Sequence, residues 1–152
     1  LGYLGEVYLA QVLGQSQNKS LPGKYLHIDQ DVQVNWHFSY IQHRVRLGPA
    51  KDMEVDVYAA AGAEVWLCES KWWRRRKAGI PEVESLLAKG RIVRSNRGEG
   101  LEVLRLWIFA HDGFTDEAKE LMAENWVFWS DREDLNALLS YVGLKTLPDI
   151  SE

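Results

Sequence analysis

The chain has a single cysteine, Cys68, in 152 residues. That excludes an internal disulfide and any zinc site built on several thiolates, and a reducing cytoplasm is the expected setting. No apolar run approaches the roughly 20 residues a helix needs to span a bilayer, so no membrane partner is expected. Net positive charge is also missing: the formal balance is -4, which argues against a surface that is basic all over. The start at Leu1 shows neither a basic stretch nor a small-residue cleavage site, so no signal peptide is read there. The expectation is one domain over 1–152, cut from a longer multidomain protein. No internal repeat or low-complexity segment is apparent.

What is present is the balance of a soluble globular domain, 46% apolar and 26% charged. The charge is unevenly placed. Residues 71–97 hold nine Lys or Arg against Glu82 and Glu84, while the rest of the chain holds nine basic and twenty acidic residues. A one-sided contact with a polyanion needs that asymmetry, since phosphate binding follows local potential, although a basic loop in solvent has the same composition.

Apolar residues recur at helical spacing over 3–14, with Gly14 as a stop. Glu6 lies on the row of Tyr3, Ala10 and Leu13, at the boundary of the apolar side, where a carboxylate reaches water. Residues 14–24 read as a loop. From 25 to 46 the chain is rich in aromatic and β-branched residues, with alternation over 32–38 and again over 41–47; a strand ends near Leu47, turned by Gly48 and Pro49, and 25–38 is either part of it or a separate strand. Residues 54–60 and 64–71 are the next two strands, joined by a tight turn at 61–63, which makes an antiparallel meander. Pro81 opens a helix that runs to Gly90, and 91–100 is a polar connection. Residues 103–110 are nearly all apolar and read as the innermost strand. Thr115 caps a helix, 126–129 is a short strand, and Ser130 with Glu133 has the spacing of a capping box for a last helix through Tyr141. The tail from Lys145 is expected to fray.

Chemistry concentrates at one place. Side chains two apart on a strand share a face, so Glu69 and Lys71 project together and Cys68 and Ser70 project oppositely. If the turn falls near Gly62, the antiparallel neighbour brings Asp56 across from them. Two carboxylates and an ammonium then converge at a sheet edge, a set able to hold Mg²⁺ or Mn²⁺ and to promote attack on a phosphodiester. An exposed Glu-x-Lys pair that meets only solvent is the ordinary alternative.

The arrangement resembles the PD-(D/E)XK nuclease superfamily, with Asp56 on one strand and Glu69-Ser70-Lys71 as the (D/E)-X-K element ending the next. It is most similar to the Mrr-like and Holliday-resolvase-like branches, whose first helix carries a Glu at the place of Glu6; residues 112–122 also look Mrr-like. Val55 departs from the Pro that often precedes the first Asp. The resemblance implies a restriction-endonuclease-like α/β fold, an αβββαβ core with a mixed central sheet flanked by helices, here with a C-terminal α-β-α extension. It implies Asp56, Glu69 and the Ser70 carbonyl as metal ligands, Lys71 as the water-orienting or charge-stabilising group, and Glu6 as an auxiliary ligand or partner of Lys71. Glu54 is a weaker candidate. A metal-dependent DNA endonuclease follows, with a homodimer as one way to cut both strands. The other reading is a catalytically silent nucleic-acid-binding or protein-assembly domain that keeps the fold.

Trp72 and Trp73, followed by Arg74, Arg75, Arg76 and Lys77, place aromatic and cationic groups directly after the site, suited to nucleic acid. The two tryptophans read equally well as core or interface. Arg91, Arg94 and Arg97 extend the basic set. His27, His37, His43 and His111 show no metal-ligand spacing and read as structural or surface, and Cys68 reads as core.

Overall fold

The computed structural model describes residues 2–16, 19–34, 38 and 40–148. His37 and most of the aromatic stretch around it lie outside the described residues. Helix α1 (Gly2–Gln15) leads through two short paired segments, β1 (Ser20–Leu21) and β2 (Val32–Gln33), into three long strands, β3 (Tyr40–Leu47), β4 (Met53–Ala61) and β5 (Glu64–Lys71). Then follow α2 (Ile80–Arg97), β6 (Val103–Ala110), α3 (Asp116–Glu124), β7 (Val127–Ser130) and α4 (Arg132–Tyr141). The five strands form one sheet in the order β3-β4-β5-β6-β7, antiparallel up to β5 and parallel beyond it. The result is an α/β fold with a mixed central sheet flanked by helices. Among the described residues, no helix is long and apolar enough to cross a membrane.

Each face of the sheet has its own core. Leu9, Val12 and Leu13 of α1 and Leu135, Leu138 and Leu139 of α4 pack with Val57, Trp66, Cys68 and Phe109 on one side. Val83, Leu86 and Val93 of α2 and Ala118 and Met122 of α3 pack with Val55, Val65, Leu67 and Ile108 on the other. Alternation along β5 therefore assigns Cys68 and Ser70 to the α1 side and Glu69 and Lys71 to the α2 side.

Four expectations need correcting. The innermost strand is β5, not β6; β6 reads as a buried run because the short β7 covers its outer edge. Helix α2 does not stop at Gly90. A Cβ there would meet both Leu106 methyls at 3.2 Å, so this glycine allows the helix to sit close on β6 and the helix continues to Arg97. The last helix is capped by Asp131, whose carboxylate accepts the Asp134 N–H at 2.9 Å, because Ser130 ends β7 and its hydroxyl donates to the Tyr25 carbonyl at 2.7 Å. The tail is held as far as Leu147, which is buried and donates its N–H to Asn136 Oδ1 at 2.7 Å.

Candidate active site

The β4–β5 hairpin has a two-residue turn, with Ala61 opposite Glu64 and Gly62 at φ +59°, a conformation glycine adopts without steric cost. Counting back from it, Val57 pairs with Cys68, and the next opposed positions are Asp56 and Glu69. There the backbone ladder ends. The Asp56 N–H donates instead to Glu69 Oε2 at 3.1 Å, and the Ser70 N–H donates to Asp56 Oδ2 at 2.8 Å. Two side-chain carboxylates thus close the gap where the strands part.

Asp56 also sits at a break on its other side. In β3 and β4, His43 pairs with Val57 and Val45 with Val55, the register passes over the position between them, Arg44 against Asp56, and Arg44 has φ +55°. Val57 packs on the α1 side and Val55 on the α2 side, so the two-residue alternation fails at Asp56. A regular strand would not allow this, and the left-handed residue opposite it supplies the local turn.

Glu69 is 3% exposed. Burial, followed by the charge of Asp56, pushes its carboxyl up to about 7, against the pull of Lys89. Lys89, on α2, places its ammonium on Glu69 Oε1 in a hydrogen-bonded ion pair. Sequence reasoning missed this residue. Its signal was present: Val83, Leu86, Gly90 and Val93 form the buried stripe of α2, and Lys89, three beyond Leu86 and four before Val93, is a charge set on that stripe.

The other expected site residues are placed as follows. Lys71 lies on the same face as Glu69, but its ammonium sits 5.7 Å from the centre of the Trp73 ring rather than on a carboxylate. Glu6 is 3% exposed, against the expectation of a carboxylate reaching water. It receives Arg44 Nε at 3.3 Å and lies 3.7 Å from His43 Nδ1. It therefore meets β3 at the break facing Asp56, while the charges that act on Glu69 are those of Asp56 and Lys89. Among the described residues no three His, Cys, Asp or Glu side chains cluster closely enough to hold a metal ion by themselves. Ser70 turns its hydroxyl toward Gly5 of α1, where it is buried with no hydrogen-bond partner among the described residues. Glu54 is 4.0 Å from Arg46, a strand neighbour.

The two tryptophans divide. Trp72 is buried on the α1 side, 5.8 Å from Phe109 and 5.1 Å from His111 between ring centres, and belongs to the core. Trp73 is half-buried and carries the Arg76 guanidinium 3.9 Å above its ring. Arg75, Arg76 and Lys77 are exposed, and their loop is pinned by the Arg75 N–H donating to Asp112 and by a bridge between Ala78 and Phe114. Hydrogen bonding from His111 holds the Asp112 carboxyl below its ordinary range. Arg91 and Arg94 are exposed on α2, but Arg97 donates to the Gly62 carbonyl. That is the turn end of the hairpin, about 17 Å along β5 from Glu69 for the five steps from Glu64 at about 3.3 Å per residue, so Arg97 lies apart from Arg75, Arg76 and Lys77. Of the other histidines, His27 stacks on Trp129 at 3.3 Å and pairs with Asp134 at 2.7 Å.

No family model matches the chain, and no curated protein matches it. Among solved structures it is similar to a protein of unknown function, AF1548, with a TM-score of 0.59 and 18% identity, covering 99% of this chain and 72% of that one. At that identity the likeness shows a shared fold. It is also similar to EndoMS in complex with double-stranded DNA, with a TM-score of 0.46 and 18% identity. A repair endonuclease from Pyrococcus abyssi gives a TM-score of 0.44 and 20% identity. Each of these two likenesses covers 60% of this chain, and the chain spans 35% and 38% of their respective lengths.

Proposed function

We propose that the chain is a metal-dependent endonuclease domain that hydrolyses DNA phosphodiester bonds. The observation that carries this reading is the pairing of Asp56 and Glu69 at the parted end of β4 and β5, each carboxylate using one oxygen on a backbone N–H. The second oxygen of Asp56 remains as a hard donor, and Glu69 Oε1 is shared with the Lys89 ammonium. One buried and one half-buried carboxylate, Glu69 and Asp56, form a donor set that fits Mg²⁺ or Mn²⁺, which take one or two protein carboxylates and complete their shell with water, backbone carbonyl and phosphate. The Ser70 carbonyl is the backbone candidate. Such a cation supplies, when bound, Lewis acidity toward the phosphoryl oxygen and a more acidic water.

The residues of the chain itself bind and orient. Asp56 and Glu69 would hold the cation, Lys71 would meet charge developing on the phosphate, and Glu6 would act through Arg44 on the strand that faces Asp56. Arg75, Arg76 and Lys77 would take neighbouring phosphates of the DNA, which fixes position without reading sequence. A single observation favours the silent, binding-only reading: Lys89 already neutralises Glu69.

Plasmid cleavage with and without Mg²⁺ or Mn²⁺ separates the two. Wild-type chain is expected to nick supercoiled DNA only with metal, Asp56→Ala to abolish nicking, and Lys71→Ala to slow it by about 10²-fold or more. Metal-independent cleavage, no cleavage, or cleavage that survives Asp56→Ala would overturn the assignment.

A further inference from the structure

We infer that Lys89 is the resident counter-ion of the carboxylate pair: it pairs with Glu69 Oε1, competes for that oxygen with a divalent cation, and once displaced presents its ammonium to the substrate phosphate. The inference rests on the nuclease reading of the same site. It starts from the allocation of oxygens. Glu69 Oε2 and Asp56 Oδ2 are committed to the N–H groups of Asp56 and Ser70, and Lys89 stands on Glu69 Oε1. Only the second oxygen of Asp56 is left over, so a cation shared by both carboxylates would compete with the ammonium for Glu69 Oε1. Two positive charges a few ångströms apart in a site 4% exposed at Glu69 and 11% exposed at Lys89 repel strongly, and the two cations exclude each other.

The same geometry provides for release. Lys89 comes from α2, not from either strand of the hairpin, so the backbone N–H groups hold both carboxylates in place when it moves. A four-carbon stem ending in a rotatable point charge can re-aim without moving the helix, which a rigid fork could not. The remaining lysine of the site, Lys71, is engaged by Trp73 and does not contact Glu69.

The test pairs metal affinity with turnover. Mn²⁺ binding is measured by titration calorimetry near pH 8, about where a buried carboxylate of this kind is ionised, for the wild type, Lys89→Met and Lys89→Gln, alongside plasmid nicking by the same preparations. The expected result is metal binding about tenfold tighter or more in both variants, together with slower cleavage at saturating metal. Removing a group that merely held the site together would weaken both. Equal or weaker Mn²⁺ binding by folded variants, or unchanged cleavage, overturns the inference. A wild type that binds no Mn²⁺ sinks the nuclease reading itself. Should both variants fail to fold, Mg²⁺ titration of the wild type followed by lysine ammonium NMR decides: the Lys89 signal is expected to shift as metal binds, and an unmoved signal overturns the inference.

Discussion

Glu69 keeps a proton that a solvated carboxylate would have lost. Its native carboxyl is pushed up to about 7 against an ordinary 4.5, first by burial and then by Asp56. Between those values the folded chain binds a proton that the unfolded chain does not, so the contribution of this group is fully present below about pH 4.5 and is lost as pH rises through about 7. Urea unfolding in chelator is expected to show stability falling across that window by up to about 3 kcal/mol more in the wild type than in Glu69→Gln. Equal slopes would mean that Glu69 is not the group responsible. Cys68 makes a second test. Burial, with the charges of Glu69 and Asp56, pushes its thiol well up, so almost no thiolate exists at neutral pH. Iodoacetamide should leave the folded chain unlabelled and modify it only when denaturant is added.

At the scale of elements, the contact between α1 and β5 leaves no room at Gly5, where a Cβ would run into the Ser70 hydroxyl and sit 3.4 Å from Phe109. Gly5→Val is expected to cost about 2–3 kcal/mol through overpacking and to disturb the strand end that carries the site. Gly14, in the last turn of the same helix, has nothing within 4 Å of a Cβ, so Gly14→Ala should stabilise by about 0.5–1 kcal/mol. Thermal melts of the two variants check both signs. These elements also account for what the sequence disclosed. Asp56 and Glu69 could be paired from residue order alone, because a two-residue turn sets the register of a hairpin and opposed side chains follow from it. Lys89 could not be reached by that count, since it arrives from a helix whose rotation over the sheet is set by Leu86, Gly90 and Val93 meeting strands far away in the chain. Glu6 posed the converse problem. Its row on α1 was readable, but its partner, Arg44, depends on a left-handed residue inside a strand that no alternation pattern announces.

For the whole molecule, the basic segment divides into two places. Arg75, Arg76 and Lys77 lie beside the end of β5, whereas Arg97 lies at the opposite end of the hairpin. If the former face the DNA backbone, replacing all three with alanine should reduce the slope of log affinity against log salt by up to about 2.7, at roughly 0.9 per phosphate contact, and Arg97→Ala should leave it unchanged. Fluorescence anisotropy across a salt series measures both. The parted ladder between β4 and β5 has one more use. The amide protons of Asp56 and Ser70 each point at a carboxylate instead of a peptide carbonyl, so their electronic shielding follows the charge state of Glu69 and Asp56 respectively. Two backbone resonances in a nitrogen–proton correlation spectrum therefore serve as native reporters of whether the site holds a proton, an ammonium or another cation, with no label attached and no substrate required.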